Sequence, residues 1–314
     1  MLSSIQRFLP FVFLSFLLFT ACEEPLEFDL NDEERLVIYS NFSNQQTLEV
    51  FVSKTRSVLN TEPTTFLEDA TVMVFVDNEL VEILQAMPAS ETGDKPPFYK
   101  TLKLKPEVGV VYTIKVSVPG FDPVTATNSI PPSVPIESVD YSNTGQTEVN
   151  ESKNVKFDVA VSFIDPADEE NYYHLVFLQK LTPYTVSPSG DTILSEVVIN
   201  APLTVFPSNL DMPVTGYYDH RSFLIKDRFF NGEKLRLNFW GMYDYDPGKY
   251  LPGDFVIELR TVSEAYYLYH ITLSRQINTE NPLSEGVVVY DNVENGEGIF
   301  AGYSSSFNSF KQSN

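Results

Sequence analysis

The sequence predicts a mainly β protein made of two β-rich domains, with one helix in the second. Large apolar residues occupy every second position in residues 157–163 and 235–239, which is the pattern of strands with one buried face. Turn-forming pairs such as Asn231-Gly232 separate such runs. Of the 314 residues, 43% are hydrophobic, which is enough for a packed core. Many short strands at this spacing are typical of sandwiches and barrels.

Eight further segments share the enrichment in β-branched and aromatic residues that favours strands. They are residues 48–52, 70–76, 80–84, 99–104, 111–118, 172–178, 255–259 and 287–290.

Residues 262–276 are predicted as the helix. Thr261 and Glu264 have the spacing of a capping box, in which two side chains bind free amide groups at the helix start. Part of this segment also alternates, so a strand is the alternative. The apolar positions that fall on one helical face are Val262, Ala265, Tyr266, Tyr269 and Leu273.

Residues 131–135 contain three prolines and are predicted to be a linker between the two domains, because proline interrupts a sheet. The first domain, 36–130, has the size of an immunoglobulin-like or transthyretin-like β-sandwich. The second, 136–314, is predicted to be a β-rich sandwich-type domain that carries the helix.

Residues 1–21 predict a secretory signal peptide, with Arg7 before an apolar run that ends in small residues. The run, 8–19, is shorter than the about 20 residues that cross a membrane. The four residues ending at Cys22 resemble a bacterial lipobox, and this implies that Cys22 is lipidated and becomes the mature N-terminus. Acyl chains anchor a protein with about 0.8 kcal/mol per buried CH₂. A plain signal peptide with an unmodified Cys22 is the alternative.

Residues 22–35 are predicted to be an acidic tether. Seven of the twelve residues in 23–34 are acidic and none is basic, which is typical of a solvated segment. The tether also resembles the acidic stretch that marks surface export in lipoproteins of Bacteroidota-type outer membranes. This resemblance implies an outer-membrane protein on the cell surface.

The net charge of −22 argues against nucleic acid as a partner, since neutralising phosphates requires clustered Lys and Arg. It also argues against electrostatic binding to anionic lipid. One Cys and three His exclude a disulfide framework and a Cys/His zinc site of ordinary spacing.

No catalytic constellation emerges from the sequence, so a non-enzymatic protein is expected. His174, His220 and His270 are each expected to be structural or surface residues. The run from Asp219 to Ser222 contains suggestive residue types, but adjacent strand residues point to opposite faces and do not form a triad.

No cofactor is expected, with calcium as the one weaker candidate. Oxygen ligands for it could come from Asp165, Asp168 and Glu169, or from Asp244 and Asp246. Neither set has the spacing of an EF-hand. The 43 acidic residues also offer carboxylate pairs, which keep a glycan- or peptide-hydrolase open as an alternative.

The segment 239–250 is rich in aromatic residues, which outside a core often form binding surfaces. Tyr243, Tyr245 and Tyr250 are the candidate ligand-binding residues there. Trp240 ends an alternating strand and fits the core instead.

Several segments resemble, in order, the domain-of-unknown-function 4249 family of Bacteroidota outer-membrane lipoproteins. After the Cys22 tether they are 68–72, 163–173, 262–269 and 291–302, of which the last is the most specific. The family implies a surface lipoprotein often associated with TonB-dependent transporters, without established catalytic residues. The expected function is therefore a binding or accessory component of such an uptake system. A hydrolase and a purely structural envelope protein are the alternatives.

The same segments also have an explanation in terms of fold. Asn295-Gly296 suits a tight turn with positive φ. Gly298 and Gly302 would let the last strand pack closely against another element, with Phe300 between them.

Overall fold

The computed structural model describes residues 34–56, 63–91, 93, 95–149, 152–167, 169–209, 211–217, 221–277 and 287–311. The predicted signal peptide and Cys22 lie outside these residues. Strands account for 59% and helices for 7% of the structure, so the mainly β prediction is confirmed.

Twenty strands and one α-helix form the regular structure of the described residues. They are β1 (Leu36–Ser43), β2 (Glu49–Lys54), β3 (Thr71–Val76), β4 (Glu79–Ile83), β5 (Gln85–Met87), β6 (Phe98–Lys100), β7 (Val111–Ser117), β8 (Val124–Ser129), β9 (Ile136–Val149), β10 (Ser152–Ile164), β11 (Tyr172–Val186), β12 (Thr192–Leu194), β13 (Ile199–Pro202), β14 (Thr204–Pro207), β15 (Val214–Tyr217), β16 (Ser222–Lys226), β17 (Lys234–Tyr245), β18 (Tyr250–Val262), α1 (Glu264–Ile277), β19 (Val293–Glu294) and β20 (Glu297–Lys311).

The strands form three sheets, of which the largest has eleven strands. Its main path is β15-β16-β11-β18-β20-β1-β2-β6-β5, and β12 and β13 also pair with β11. A four-stranded sheet has the order β14-β17-β10-β9, and a five-stranded sheet has the order β19-β8-β7-β3-β4. The first and last strands, β1 and β20, run parallel to each other in the middle of the large sheet.

One hydrophobic cluster lies between the large sheet and α1, and two further hydrophobic cores lie between the large sheet and the smaller sheets. One of these two cores combines side chains of β1 and β2 with those of β3, β7 and β8 from the five-stranded sheet. The other combines β11, β16 and β18 with β10 and β17 from the four-stranded sheet. The large sheet therefore takes part in both sandwich-like arrangements. The proposed linker at 131–135 and the immunoglobulin-like or transthyretin-like topology stay predictions.

The helix prediction is confirmed, but its predicted cap is wrong. Ser263 precedes α1, and its Oγ accepts a hydrogen bond from the amide of Tyr266 at 3.3 Å. Thr261 instead lies in β18, where its Oγ1 accepts from the amide of Val134 at 3.0 Å. Pairing of Val262 with its neighbours extends the strand to the helix start, so sheet formation overrides the local capping pattern.

Two strand predictions need correction. Residues 287–290 form no strand, because the amide of Tyr290 donates to Thr272 Oγ1 on α1 rather than to a partner strand. The strand predicted at 99–104 ends at Lys100. The carboxylate of Glu82 accepts hydrogen bonds from the amides of Leu102 and Leu104, which removes these residues from strand pairing.

Close packing at β20 confirms the expected role of its glycines. Asn295 has a φ of +62° in the preceding turn. A Cβ on Gly298 would lie 2.0 Å from the carbonyl oxygen of Ile38, and one on Gly302 would lie 2.2 Å from that of Ser129. Only glycine allows the backbones to approach this closely. Phe300, between them, stacks on Phe42 with a centroid distance of 4.5 Å.

Candidate functional site

A cavity of about 350 Å³ lies between α1 and the large sheet. Its lining side chains come from six strands of that sheet (β1, β11, β13, β15, β16 and β18), from the loop before β16 and from α1. They are Tyr39, Asn41, His174, Val176, Pro202, Tyr217, Arg221, Ser222, Arg260, Tyr266 and His270. We refer to it as the histidine cavity.

Strand alternation places the polar side chains in this cavity. On β11, Tyr173 and Leu175 point into the core against the four-stranded sheet, so His174 between them points to the opposite face. That face is the one covered by α1. On the helix, Tyr266 and His270 are four residues apart and therefore lie on the same side, facing the sheet.

Arg260 begins a hydrogen-bonded series that ends at His174. Its Nε and Nη2 bind the two carboxylate oxygens of Glu258, each at 2.9 Å. Its Nη1 donates to the hydroxyl oxygen of Tyr266 at 3.4 Å, and that hydroxyl lies 2.9 Å from His174 Nδ1. The guanidinium donates to the Tyr266 oxygen, which leaves the hydroxyl hydrogen available for His174 Nδ1. In the tautomer that accepts it, His174 carries its own proton on Nε2.

His270 is held by a second pair of polar contacts. Asn41 Nδ2 lies 3.0 Å from His270 Nε2, which accepts because an amide nitrogen can only donate. The other ring nitrogen, Nδ1, lies 2.8 Å from the hydroxyl of Tyr217 and donates to it. The tautomer of His270 is thus set by its neighbours.

Two buried polar atoms of the cavity have no hydrogen-bond partner among the described residues: His174 Nε2 and Asn41 Oδ1. His174 is only 4% exposed. An unsatisfied buried polar atom costs about 1–3 kcal/mol. Most buried polar groups in native proteins are paired, so each such atom needs a partner from outside this network. Both atoms belong to residues that line the cavity, so a bound molecule is one source of the missing partners.

Both histidines are neutral near pH 7. Burial lowers the pKa of His270 to about 3, and Arg260 adds to this effect. Burial also lowers the pKa of His174 well below its ordinary value of 6.5, with Arg260 and His270 contributing. A general base works best when its pKa is near the working pH. The cavity is consequently better suited to binding than to proton transfer.

Arg260 stays charged in this environment. Burial alone lowers its pKa, but Tyr266 and the hydrogen-bonded Glu258 raise it by more, so its pKa lies above the ordinary value. The ion pair with Glu258 neutralises Arg260 locally.

No group of three or more His, Cys, Asp or Glu side chains converges on a metal position in the part of the chain that the structure describes. Asp165 is buried and bonded to the amide of Gly232 and the hydroxyl of Tyr173. Asp246 accepts the amide of Gly248 and pairs with Lys249. Asp168 lies outside the described residues. Calcium at these loops stays a prediction.

The predicted aromatic site lies apart from the cavity. Tyr243 is 7% exposed and packs in the core, so its expected surface position is wrong. Tyr245 stacks against it at 6.1 Å between ring centroids, and Tyr250 is half-buried at the start of β18. Trp240, expected in the core, is 41% exposed and stacks on Phe206. The alternation gives two faces, but packing of the four-stranded sheet against the large sheet decides which one is covered. Ligand binding by the three tyrosines stays a prediction.

Sequence reasoning missed Asn41, Tyr217, Arg260 and Tyr266 as site residues. One signal was available in the sequence. The strands β11 and β18 carry apolar residues on both faces, and His174 and Arg260 are polar exceptions within these runs. Such strands are covered on both faces, and a charged residue inside one needs a partner. Asp219 and His220 lie outside the described residues, whereas the adjacent Arg221 and Ser222 line the cavity.

None of the helices in the described residues has the length and apolar character required to cross a bilayer.

The fold and the cavity define a mainly β protein with a polar, arginine-containing pocket between its largest sheet and its helix. The chain belongs to the domain of unknown function family DUF4249, whose family model matches residues 23–308. The match confirms the family resemblance seen in the sequence. No curated protein matches the chain.

Proposed function

We propose that this protein is a non-enzymatic binding component of a TonB-dependent nutrient uptake system. In this proposal it is anchored to the outer membrane through lipidated Cys22 and faces the cell surface. The histidine cavity would hold a small ligand that the partner transporter imports.

One observation carries the binding role: the cavity contains buried polar atoms, His174 Nε2 and Asn41 Oδ1, that have no partner among the described residues. A volume of about 350 Å³ is within the range of about 300–1,000 Å³ usual for small-molecule sites. The neutral histidines of low pKa favour binding over acid–base catalysis at the same site.

The tether supports a position close to the membrane. Thirteen residues separate Cys22 from Leu36, so the tether reaches at most about 45 Å even when fully extended. A lipid-anchored binding protein on so short a tether remains near any transporter in the same membrane.

Affinity purification of the tagged full-length protein from native outer membranes in mild detergent tests this proposal. A TonB-dependent transporter should copurify in stoichiometric amount and be identified by mass spectrometry. A Cys22→Ala variant is the matched control, because it should leave the membrane fraction and lose the transporter. Recovery of the wild-type protein without a transporter would contradict the accessory role.

The hydrolase alternative is tested with the same preparation. Turnover of any member of a polysaccharide and peptide panel by the full-length protein would favour it over the binding role. We expect no turnover.

A further inference from the structure

Charge distinguishes the histidine cavity from the rest of the protein. The chain carries a net charge of −22, yet the residues that line this cavity include two arginines and no carboxylate. Glu258 neutralises Arg260 through a two-point ion pair. Arg221 forms no ion pair with any residue that the structure describes. Arg221 is exposed and so places an uncompensated positive charge at the edge of the cavity.

The first unpartnered atom of the cavity is His174 Nε2. When the Tyr266 hydroxyl donates to His174 Nδ1, the proton of His174 lies on Nε2, which is buried and has no partner among the described residues. An oxygen atom of a ligand is the natural acceptor for it. Asn41 Oδ1 has the opposite requirement, since it can only accept and therefore needs an O–H or N–H group from the ligand.

Aromatic rings complete the wall. Tyr39, Tyr217 and Tyr266 all line the cavity, and Tyr39 is 38% exposed. Tyrosine rings offer apolar faces to the carbon skeleton of a ligand while their hydroxyl groups stay in the polar network. The cavity volume of about 350 Å³ is at the lower end of the range for ligand sites, about 300–1,000 Å³, which suits a single small ring better than a polymer segment.

From these features we infer that the histidine cavity binds a small hydroxylated carboxylate of the sugar-acid class. The carboxylate pairs with Arg221, a ring hydroxyl donates to Asn41 Oδ1, and a ligand oxygen accepts from His174 Nε2. The inference names the ligand class for the binding role proposed above and rests on it.

Titration calorimetry on the full-length protein in detergent tests the class with three probes. D-Glucuronate has both the carboxylate and the hydroxyl groups, D-glucose has only hydroxyl groups, and cyclohexanecarboxylate has only the carboxylate. We expect D-glucuronate to bind at least tenfold more tightly than either of the other two. Equal affinity for D-glucuronate and D-glucose, or for D-glucuronate and cyclohexanecarboxylate, would overturn the inference. No variant is needed for this comparison, so folding defects cannot obscure it.

Two variants then assign the contacts. Arg221→Gln should weaken D-glucuronate binding at least tenfold and leave D-glucose binding unchanged. Arg228→Gln, which alters an exposed arginine outside the cavity, is the matched control and should bind like the wild type. Asn41→Leu should weaken both D-glucuronate and D-glucose, because it removes the acceptor for a hydroxyl. Unchanged D-glucuronate affinity in Arg221→Gln would overturn the assignment.

The outcomes separate this inference from the proposed function. Copurification of a transporter together with absent D-glucuronate binding rejects only the ligand class. D-Glucuronate binding without a copurifying transporter supports the ligand class and rejects the uptake role.

Discussion

Two buried polar clusters of this protein differ in how completely their hydrogen bonds are satisfied. The first is the histidine cavity. The second, which we call the acidic loop cluster, contains Asp165, Asn171, Tyr173, Asp227 and Gly232. Its two aspartates are each 1% exposed. Asp165 accepts from the hydroxyl of Tyr173 and the amide of Gly232, and Asp227 accepts the amide of Asn171 at 2.7 Å.

The acidic loop cluster has no unsatisfied buried side-chain atom among its described residues, whereas the histidine cavity has two. A fully paired buried network fixes the conformation of its loops. A partly paired one costs stability unless a ligand completes it. The contrast indicates that the family segment 163–173 serves the fold, whereas the two unpaired atoms lie on the other side of β11.

The largest expected effect is loss of stability of the full-length protein between pH 6.5 and pH 5. The folded-state pKa values of His174 and His270 lie below the ordinary 6.5, so stability is present above pH 6.5 and is lost as the pH falls toward those values. Over this window His270 should cost about 2 kcal/mol of unfolding free energy, and His174 should add to the loss in the same direction. Urea denaturation at successive pH values measures the slope.

A double variant, His174→Gln with His270→Gln, is the control and should flatten that slope. Asp227 responds with the opposite sign, because burial raises its pKa above 3.8 and its contribution is lost as the pH rises from there. A slope that persists in the double variant would mean that other groups cause it.

The second-largest loss of stability is expected from a substitution in the acidic loop cluster. Asp165→Ala leaves the Tyr173 hydroxyl and the Gly232 amide without an acceptor. We expect a loss of about 3 kcal/mol in unfolding free energy, measured by urea denaturation at pH 7. Asp122→Ala, at an exposed aspartate, should change it by less than about 0.5 kcal/mol. Similar values for both variants would show that Asp165 is not a structural residue.

A smaller loss is expected from Tyr173→Phe, which removes only the hydroxyl donor to Asp165. The cost should be about 1.5 kcal/mol, since one oxygen of the carboxylate is left without its partner. Tyr245→Phe is the matched control, because Tyr245 packs against the core through its ring, and it should cost less than about 0.5 kcal/mol. A thermal unfolding series that ranks the two variants in reverse order would contradict the prediction.

The smallest effect on stability is expected in the cavity. His174→Phe loses one hydrogen bond with Tyr266 but also removes an unpartnered buried nitrogen. These contributions oppose each other, so unfolding free energy should change by less than about 1 kcal/mol. D-Glucuronate binding should fall at least tenfold in the same variant. A destabilisation as large as that of Asp165→Ala would place His174 among the structural residues and remove the contrast.

Local pattern predicted the strands and the helix more reliably than their ends. Alternation located β10 and β17, because a half-buried strand needs a side-chain period of two. The enrichment in β-branched and aromatic residues located β11 but failed at residues 287–290, where the Tyr290 amide donates to Thr272 Oγ1 on α1. The capping pattern at Thr261 failed because Val262 is paired in the sheet.

The candidate site was less predictable than the fold. The three tyrosines of 239–250 were chosen for composition, and burial of Tyr243 depends on which face β17 turns to the core. His174 and His270 are 96 residues apart in the sequence, and nothing in either local segment indicates that they meet across the cavity.

The sequence by itself determined the strand-rich class, the helix that follows β18 and the need for glycine at positions 298 and 302, because these follow from side-chain period and backbone sterics within short segments. The parallel pairing of β1 with β20 and the placement of α1 over β11 were decided only by the tertiary structure. Those long-range contacts bring Asn41, His174, Arg260 and His270 into one cavity. Their hydrogen bonds, lowered histidine pKa values and unpaired atoms arise from burial, which no local stretch of sequence specifies.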